Sequence, residues 1–126
     1  MSPQNPPLNL RIPFVRRCTV SGPDKPDSET LALLLDLSLR GVYVATEELR
    51  ASGDEVRVKF QVPGNVSELS IVGLVAWVQK EKTHPVHGLP QGFGVRFTKL
   101  EADEVRLIAR AIQSYCQSNP IYRQYL

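Results

Sequence analysis

Asp36-Leu37-Ser38-Leu39-Arg40-Gly41-Val42-Tyr43-Val44 is the stretch that decides how this chain folds. An apolar run, Leu31-Ala32-Leu33-Leu34-Leu35, leads into it, and a second short apolar run leaves it. Two strands therefore meet at a polar corner. Asp36 and Ser38 share a parity, so on a strand their side chains would point to one face. Gly41 stands where the chain reverses, and glycine accepts the positive φ that such a reversal often needs. A carboxylate and a hydroxyl beside a glycine offer acceptors to N–H donors and leave room for a ligand. The plainer reading is a turn in which both side chains bond their own backbone.

Working outward, the same strand-and-turn logic repeats. Upstream, residues 10–20 carry Ile12, Phe14, Val15, Thr19 and Val20 and read as a first strand. Residues 21–28, with Gly22, Pro23, Asp24, Pro26 and Asp27, read as a loop before a second strand over 29–37. The third strand is 42–45, and Ser52-Gly53-Asp54 closes a polar turn after it. Next comes the clearest alternation in the chain. Val56, Val58, Phe60 and Val62 take one face, and Glu55, Arg57, Lys59 and Gln61 take the other. That pattern predicts an antiparallel strand with one wet side.

Pro63-Gly64-Asn65 turns the chain into a fifth strand over 68–80, in which Gly73 marks a bulge or bend. Leu69, Ile71, Val75 and Trp77 share a parity there, which makes Trp77 a core aromatic rather than a stacking platform. A proline-bounded loop spans 83–90, and Phe93, Val95 and Phe97 alternate in a sixth strand. The period then changes to helical at Val105, Ile108, Ile112 and Tyr115. Glu101, Asp103 and Glu104 favour the start of that helix, and Asn119-Pro120 ends it. The reading is a mainly β protein: a six-stranded antiparallel barrel with one C-terminal helix plugging an open end. It divides into a flexible arm (1–9), the barrel with its helix (10–117) and a tail (118–126) whose two tyrosines pack back onto the barrel.

Composition excludes several function classes. The chain has 126 residues and a formal net charge of +2, too little for a duplex DNA partner. No apolar run approaches a membrane span and no secretory leader opens the chain, which places it in the cytoplasm. Cys18 and Cys116 are far apart and lack CxxC spacing, so both read as reduced, buried thiols. His84 and His87 form an H-x-x-H pair without a third ligand nearby, which argues against zinc. There is no nucleophile elbow, no phosphate loop and no βαβ alternation; an enzyme is not expected, nor is a metal or cofactor.

What the chain does offer is a cationic first strand beside the acidic corner. Arg11, Arg16 and Arg17 precede every acid in the sequence. Guanidinium suits bidentate contact with phosphate and with the O6/N7 edge of guanine, and it stacks on purines. A carboxylate accepts from the N1–H and amine of the same base. Together these residues suit an anionic guanine nucleotide.

With these features in view, the chain resembles the PilZ domain, the bacterial receptor module for cyclic di-GMP, over roughly residues 10–117. The resemblance is carried by Arg11-Ile12-Pro13, Asp36-x-Ser38-x-x-Gly41, Val75-Ala76-Trp77-Val78, Gly94-Val95-Arg96-Phe97 and the closing helix. It implies a site in which Asp36 and Ser38 contact the guanine and ribose side, Gly41 shapes the turn and Arg11 bridges phosphate and base. The family's R-x-x-x-R motif is incomplete. With Arg11 in its second position, the first falls at Pro7, which carries neither charge nor donor. Arg16 and Arg17 are then the candidates to supply the missing contact. The implied function is a cyclic di-GMP-binding adaptor that relays the signal to a protein partner in motility, pilus or biofilm regulation. The alternative is a degenerate module that binds no nucleotide and acts by protein–protein contact.

Overall fold

A computed structural model of the protein describes residues 5–23, 25–81 and 88–125. Among these residues six strands close into a barrel: β1 (Ile12–Gly22), β2 (Lys25–Leu37), β3 (Gly41–Ala45), β4 (Glu55–Phe60), β5 (Leu69–Gln79) and β6 (Gly92–Lys99). Around the barrel they run β1-β2-β3-β6-β5-β4, and every pairing is antiparallel. Closure leaves no sheet edge to template aggregation. One helix, α1 (Ala102–Ser118), and a short 3-10 helix (Pro120–Tyr125) follow.

The alternation read from the sequence is physical. In β4, Val56, Val58 and Phe60 are at most 1% exposed, while Glu55 faces solvent. Their inward side chains join Leu34, Val44, Ile71, Phe93 and Val95 in one core. Each such side chain contributes roughly 1.5–3 kcal/mol by leaving water. Helix α1 adds Ile108, Ala109, Ala111, Ile112 and Cys116 to the same core, as its apolar spacing requires. Glu104 Oε1 accepts the Glu101 N–H at 2.8 Å, half of a capping box at its start. At its end, the Asn119 side-chain amide donates to the Tyr115 carbonyl at 2.7 Å. Pro120 cannot continue the helix.

Two expectations need correction. Residues 21–28 are not a plain loop: β1 runs to Gly22 and β2 begins at Lys25, with Gly22 paired to Lys25. A register shift between Val20 and Gly22 accommodates the irregular sequence within this extended hairpin. The tail packs on the helix, with Tyr122 meeting Tyr115 edge-on at 5.2 Å. Trp77 is not a core residue but is 40% exposed. The β5–β6 register slips between Val75 and Trp77, so Ala76 is extra, Trp77 turns away from the core and Val78 packs against it instead. Gly73 does mark an irregularity, with a register shift against β6 at Val72/Gly73. The His84/His87 pair and most of the 83–90 loop lie outside the described residues.

Candidate functional site

The polar corner between β2 and β3 is built from backbone outward. The Ser38 N–H donates to the Gly41 carbonyl at 3.0 Å and closes the turn. Ser38 Oγ accepts the N–H groups of Arg40 and Gly41, each at 3.1 Å, and donates to the Gly41 carbonyl at 3.3 Å. At 1% exposure Ser38 is consumed by the corner. This differs from the expectation that Asp36 and Ser38 share a face. Strand β2 ends at Leu37, so the two-residue period no longer governs Ser38.

Gly41 is required for a different reason than a positive φ, which it does not have. It opens β3 directly against β6, opposite Arg96. A Cβ there would lie 1.9 Å from the Val95 carbonyl oxygen, so only glycine lets the two backbones meet.

Asp36 points the other way. A register shift between Leu34 and Asp36 makes Leu35 a bulge and turns the carboxylate outward. Its Oδ1 accepts the Tyr43 N–H at 2.9 Å and pairs with Arg11 Nη1 at 2.5 Å. The aspartate side chain is 18% exposed and the arginine 45%. The ion pair is therefore reachable from solvent and can be exchanged for another partner.

These groups line a cleft of about 380 Å³. Its polar lining includes Asn9, Arg11, Asp36, Arg40 and Arg96, and Tyr43, Trp77 and Gly94 form part of its apolar lining. Tyr43 is buried beneath Trp77, their rings stacked at 5.2 Å and 29°. The Tyr43 hydroxyl donates to the Pro90 carbonyl. Burial first, and the Asp36 carboxylate second, push this phenol up to about 12, so it stays neutral. The indole lies across Gly94, where a Cβ would fall 2.3 Å from Trp77 Nε1. Arg40 Nη1 donates to Asn9 Oδ1 at 3.2 Å, which ties the chain before β1 to the corner.

Of the residues named from sequence, the structure gathers Arg11, Asp36 and Gly41 at this cleft, with Ser38 beneath them. Arg16 and Arg17 do not line it. Arg16 sits 5.2 Å over the Phe14 ring and borders a separate depression beside Ala111 and Tyr115 of α1. The cleft also takes in Asn9, Arg40, Tyr43, Trp77 and Arg96, which the sequence does not single out as ligand-binding residues. Arg40 was legible as the residue before the corner glycine. Arg96 was not, because β3–β6 pairing rather than spacing in the chain brings it there. Among the described residues no cluster of metal-binding side chains occurs. No helix among them is long and apolar enough to cross a membrane.

Comparison with known proteins agrees with this architecture. No curated protein sequence matches the chain. Similar solved structures include the Bacillus subtilis inhibitor of motility MotI/DgrA, at 13% identity and a TM-score of 0.67, covering 87% of this chain and 51% of that one. The chain thus spans about half the length of that protein. The PilZ domain of YcgR from Escherichia coli, solved with c-di-GMP, matches at 16% identity and a TM-score of 0.60, over 86% of this chain and 91% of that one. The PilZ domain of CeSA from a cellulose-synthesizing bacterium gives 16% identity and a TM-score of 0.56, over 85% and 98%. At these identities the likeness speaks for the fold. The family model for the PilZ domain matches residues 8–114, most of the described barrel and its helix, and the chain belongs to the PilZ domain family.

Proposed function

We propose that this protein is a cyclic di-GMP receptor that binds the dinucleotide in the cleft at the Asp36–Gly41 corner and relays the signal to a protein partner in motility or biofilm control. The observation that carries this reading is the meeting of three guanidinium groups, one exchangeable carboxylate and a part-exposed indole at a single cleft. Each has a matching group on the ligand. Guanidinium takes phosphate and the guanine O6/N7 edge. The Asp36 carboxylate accepts from the guanine N1–H and amine. The Trp77 ring offers a face for stacking, a mode of base contact that Arg also supplies. No group in the cleft needs to act as acid, base or nucleophile, so the reading is of a receptor and not an enzyme.

Binding has to break or share the Arg11–Asp36 pair, since both groups are engaged with each other. Residues 5–9 precede Arg11, and Asn9 holds Arg40. A ligand that redirects Arg11 therefore also repositions the segment before β1, and this movement is the output offered to a partner.

A second reading is favoured by one observation. The corner is self-satisfied, with Asp36 and Ser38 bonded inside the protein and Pro7 where an arginine is wanted. That arrangement suits a module that has given up the nucleotide and acts by protein contact alone. Calorimetric titration with cyclic di-GMP separates the two. Saturable binding at micromolar or tighter affinity, lost by a decade or more in Arg11→Ala, is the result expected of the receptor. Absence of heat at high ligand concentration would retire the receptor in favour of the adaptor.

A further inference from the structure

We propose that Arg40 and Arg96 supply the phosphate-binding charge that Pro7 lacks, and that Arg16 and Arg17 take no part. The proposal rests on the reading of the cleft as a cyclic di-GMP site and names the residues that hold the ligand's charge. The cleft holds the guanidinium groups of Arg11, Arg40 and Arg96 against the single carboxylate of Asp36. Arg11 is matched by Asp36 at 2.5 Å. Among the described residues of the cleft, no acid other than Asp36 stands beside the remaining two arginines. Arg40 donates to a neutral amide oxygen, that of Asn9, and Arg96 makes no side-chain hydrogen bond or ion pair among the described residues. A cyclic dinucleotide carries two phosphodiester charges. Two uncompensated guanidinium groups meet two uncompensated anions.

The backbone places this pair as a unit. Arg96 lies opposite Gly41 in the β3–β6 ladder, and the Phe97 N–H donates to the Arg40 carbonyl at 2.8 Å. Arg40 stands immediately before β3 with its carbonyl bonded to Phe97, and Arg96 lies within β6, so both leave backbone tied by the β3–β6 ladder, beside the glycine that lets those strands touch. Both side chains are exposed. They stand between the cleft and an adjoining depression lined by Leu8, Leu39, Phe97 and Thr98, where again no acid occurs. Asn9 fixes the direction of Arg40, a neutral contact that leaves the full charge available. Arg16 fails the same requirements, since its guanidinium is spent over Phe14 on another part of the surface.

The test is a calorimetric titration of the full chain with cyclic di-GMP, for the wild type and for Arg40→Gln, Arg96→Gln, Arg16→Gln and Arg17→Gln. Far-ultraviolet circular dichroism and a melting curve on each variant establish that it folds. The proposal expects a loss of about ten- to a hundredfold in each of the first two, the scale of a charge-assisted contact. It expects no more than about a twofold change in the last two. Raising salt from low to high should weaken the wild type more than the Arg40→Gln/Arg96→Gln double variant, because screening acts on the charges that variant lacks. A merely structural role would not move that salt response. If Arg96→Gln proves unstable, Arg96→Lys keeps the charge and should lose only part of the affinity.

Wild-type binding that is untouched by Arg40→Gln and Arg96→Gln overturns this proposal and leaves the receptor reading standing. Wild-type binding lost instead in Arg16→Gln or Arg17→Gln overturns it in favour of the first-strand arginines. No binding by the wild type overturns the receptor reading and this proposal with it.

Discussion

The helix-plugged core and the corner cleft are held together by opposite physics. At the plug, Ile108 and Ile112 of α1 are fully buried in the barrel's core. The side chains around them are apolar and buried, and removing one opens a cavity. At the cleft, the structure is held by one reachable ion pair, a handful of hydrogen bonds to the corner and a stacked aromatic pair. Surface ion pairs of this kind contribute little, about 0–1 kcal/mol. The lesson is a division of labour: stability resides where water is excluded, and exchangeable contacts are kept where a ligand can replace them.

Substitution at the plug should act mainly on stability. Ile112→Ala should cost about 2–5 kcal/mol in denaturant unfolding, because it empties volume that the barrel cannot refill. Where the variant remains folded, its affinity for cyclic di-GMP should stay within about twofold of wild type. A large affinity loss in a folded variant would show that the two regions are not separable.

Asp36→Ala reverses the pattern. It removes the acceptor for the Tyr43 N–H and the partner of Arg11, costing about 1–3 kcal/mol of stability by the usual penalty for an unmet donor. Its main effect should be on binding, with a loss of tenfold or more in a calorimetric titration. An unchanged affinity would place the ligand elsewhere.

Trp77→Ala should touch both stability and binding. Loss of the stack on Tyr43 should lower stability by about 0.5–1.5 kcal/mol. Base stacking on an aromatic ring is worth about 1–3 kcal/mol, so affinity should fall by roughly one to two decades. A variant that loses stability but keeps full affinity would return Trp77 to a purely structural role.

Alkaline pH acts on both regions with the same sign. Burial pushes the Cys18 thiol up to about 12 from 9.0, opposed in part by a backbone hydrogen bond at Leu34. Tyr43 is pushed up to about 12 from 10.0. In each case the fold favours the protonated, neutral group, and the unfolded chain ionises first. Stability is therefore fully present below pH 9 and declines as pH rises from about 9 to 12. Melting temperatures across that range should fall, and Cys18→Ala should flatten the lower part of the slope. The smallest effect belongs to Arg16→Gln, which loses a cation–π contact of about 0.5–1 kcal/mol and should leave binding alone.

How much of this was legible in the sequence follows from which interactions are local. The strands and the helix were readable because alternation and helical spacing are local patterns, and the Val56–Val58–Phe60 face appears as expected. The Asp36–Gly41 corner was readable as a turn with acceptors. Three things were not. Trp77 inverted its parity because one extra residue, Ala76, slips the β5–β6 register, and no spacing within β5 announces that slip. Gly41 was assigned to the right place for the wrong reason, since the demand comes from Val95 on another strand. Arg96 was missed as a site residue because it lies far from the corner in the chain and reaches it only through the β3–β6 ladder. The arginines that look clustered in sequence, Arg11, Arg16 and Arg17, are divided by the register shift between Pro13 and Arg16 in the β1–β2 pairing.

Trp77, the only tryptophan in the chain, lines the proposed cyclic di-GMP cleft and so reports on binding there directly. Its fluorescence would be followed while cyclic di-GMP is added to the wild-type protein and to Asp36→Ala. Binding at the cleft should give a saturable change at micromolar ligand in the wild type, shifted at least tenfold higher in the variant. A signal that stays flat into the millimolar range, or one that titrates identically in both proteins, would contradict it.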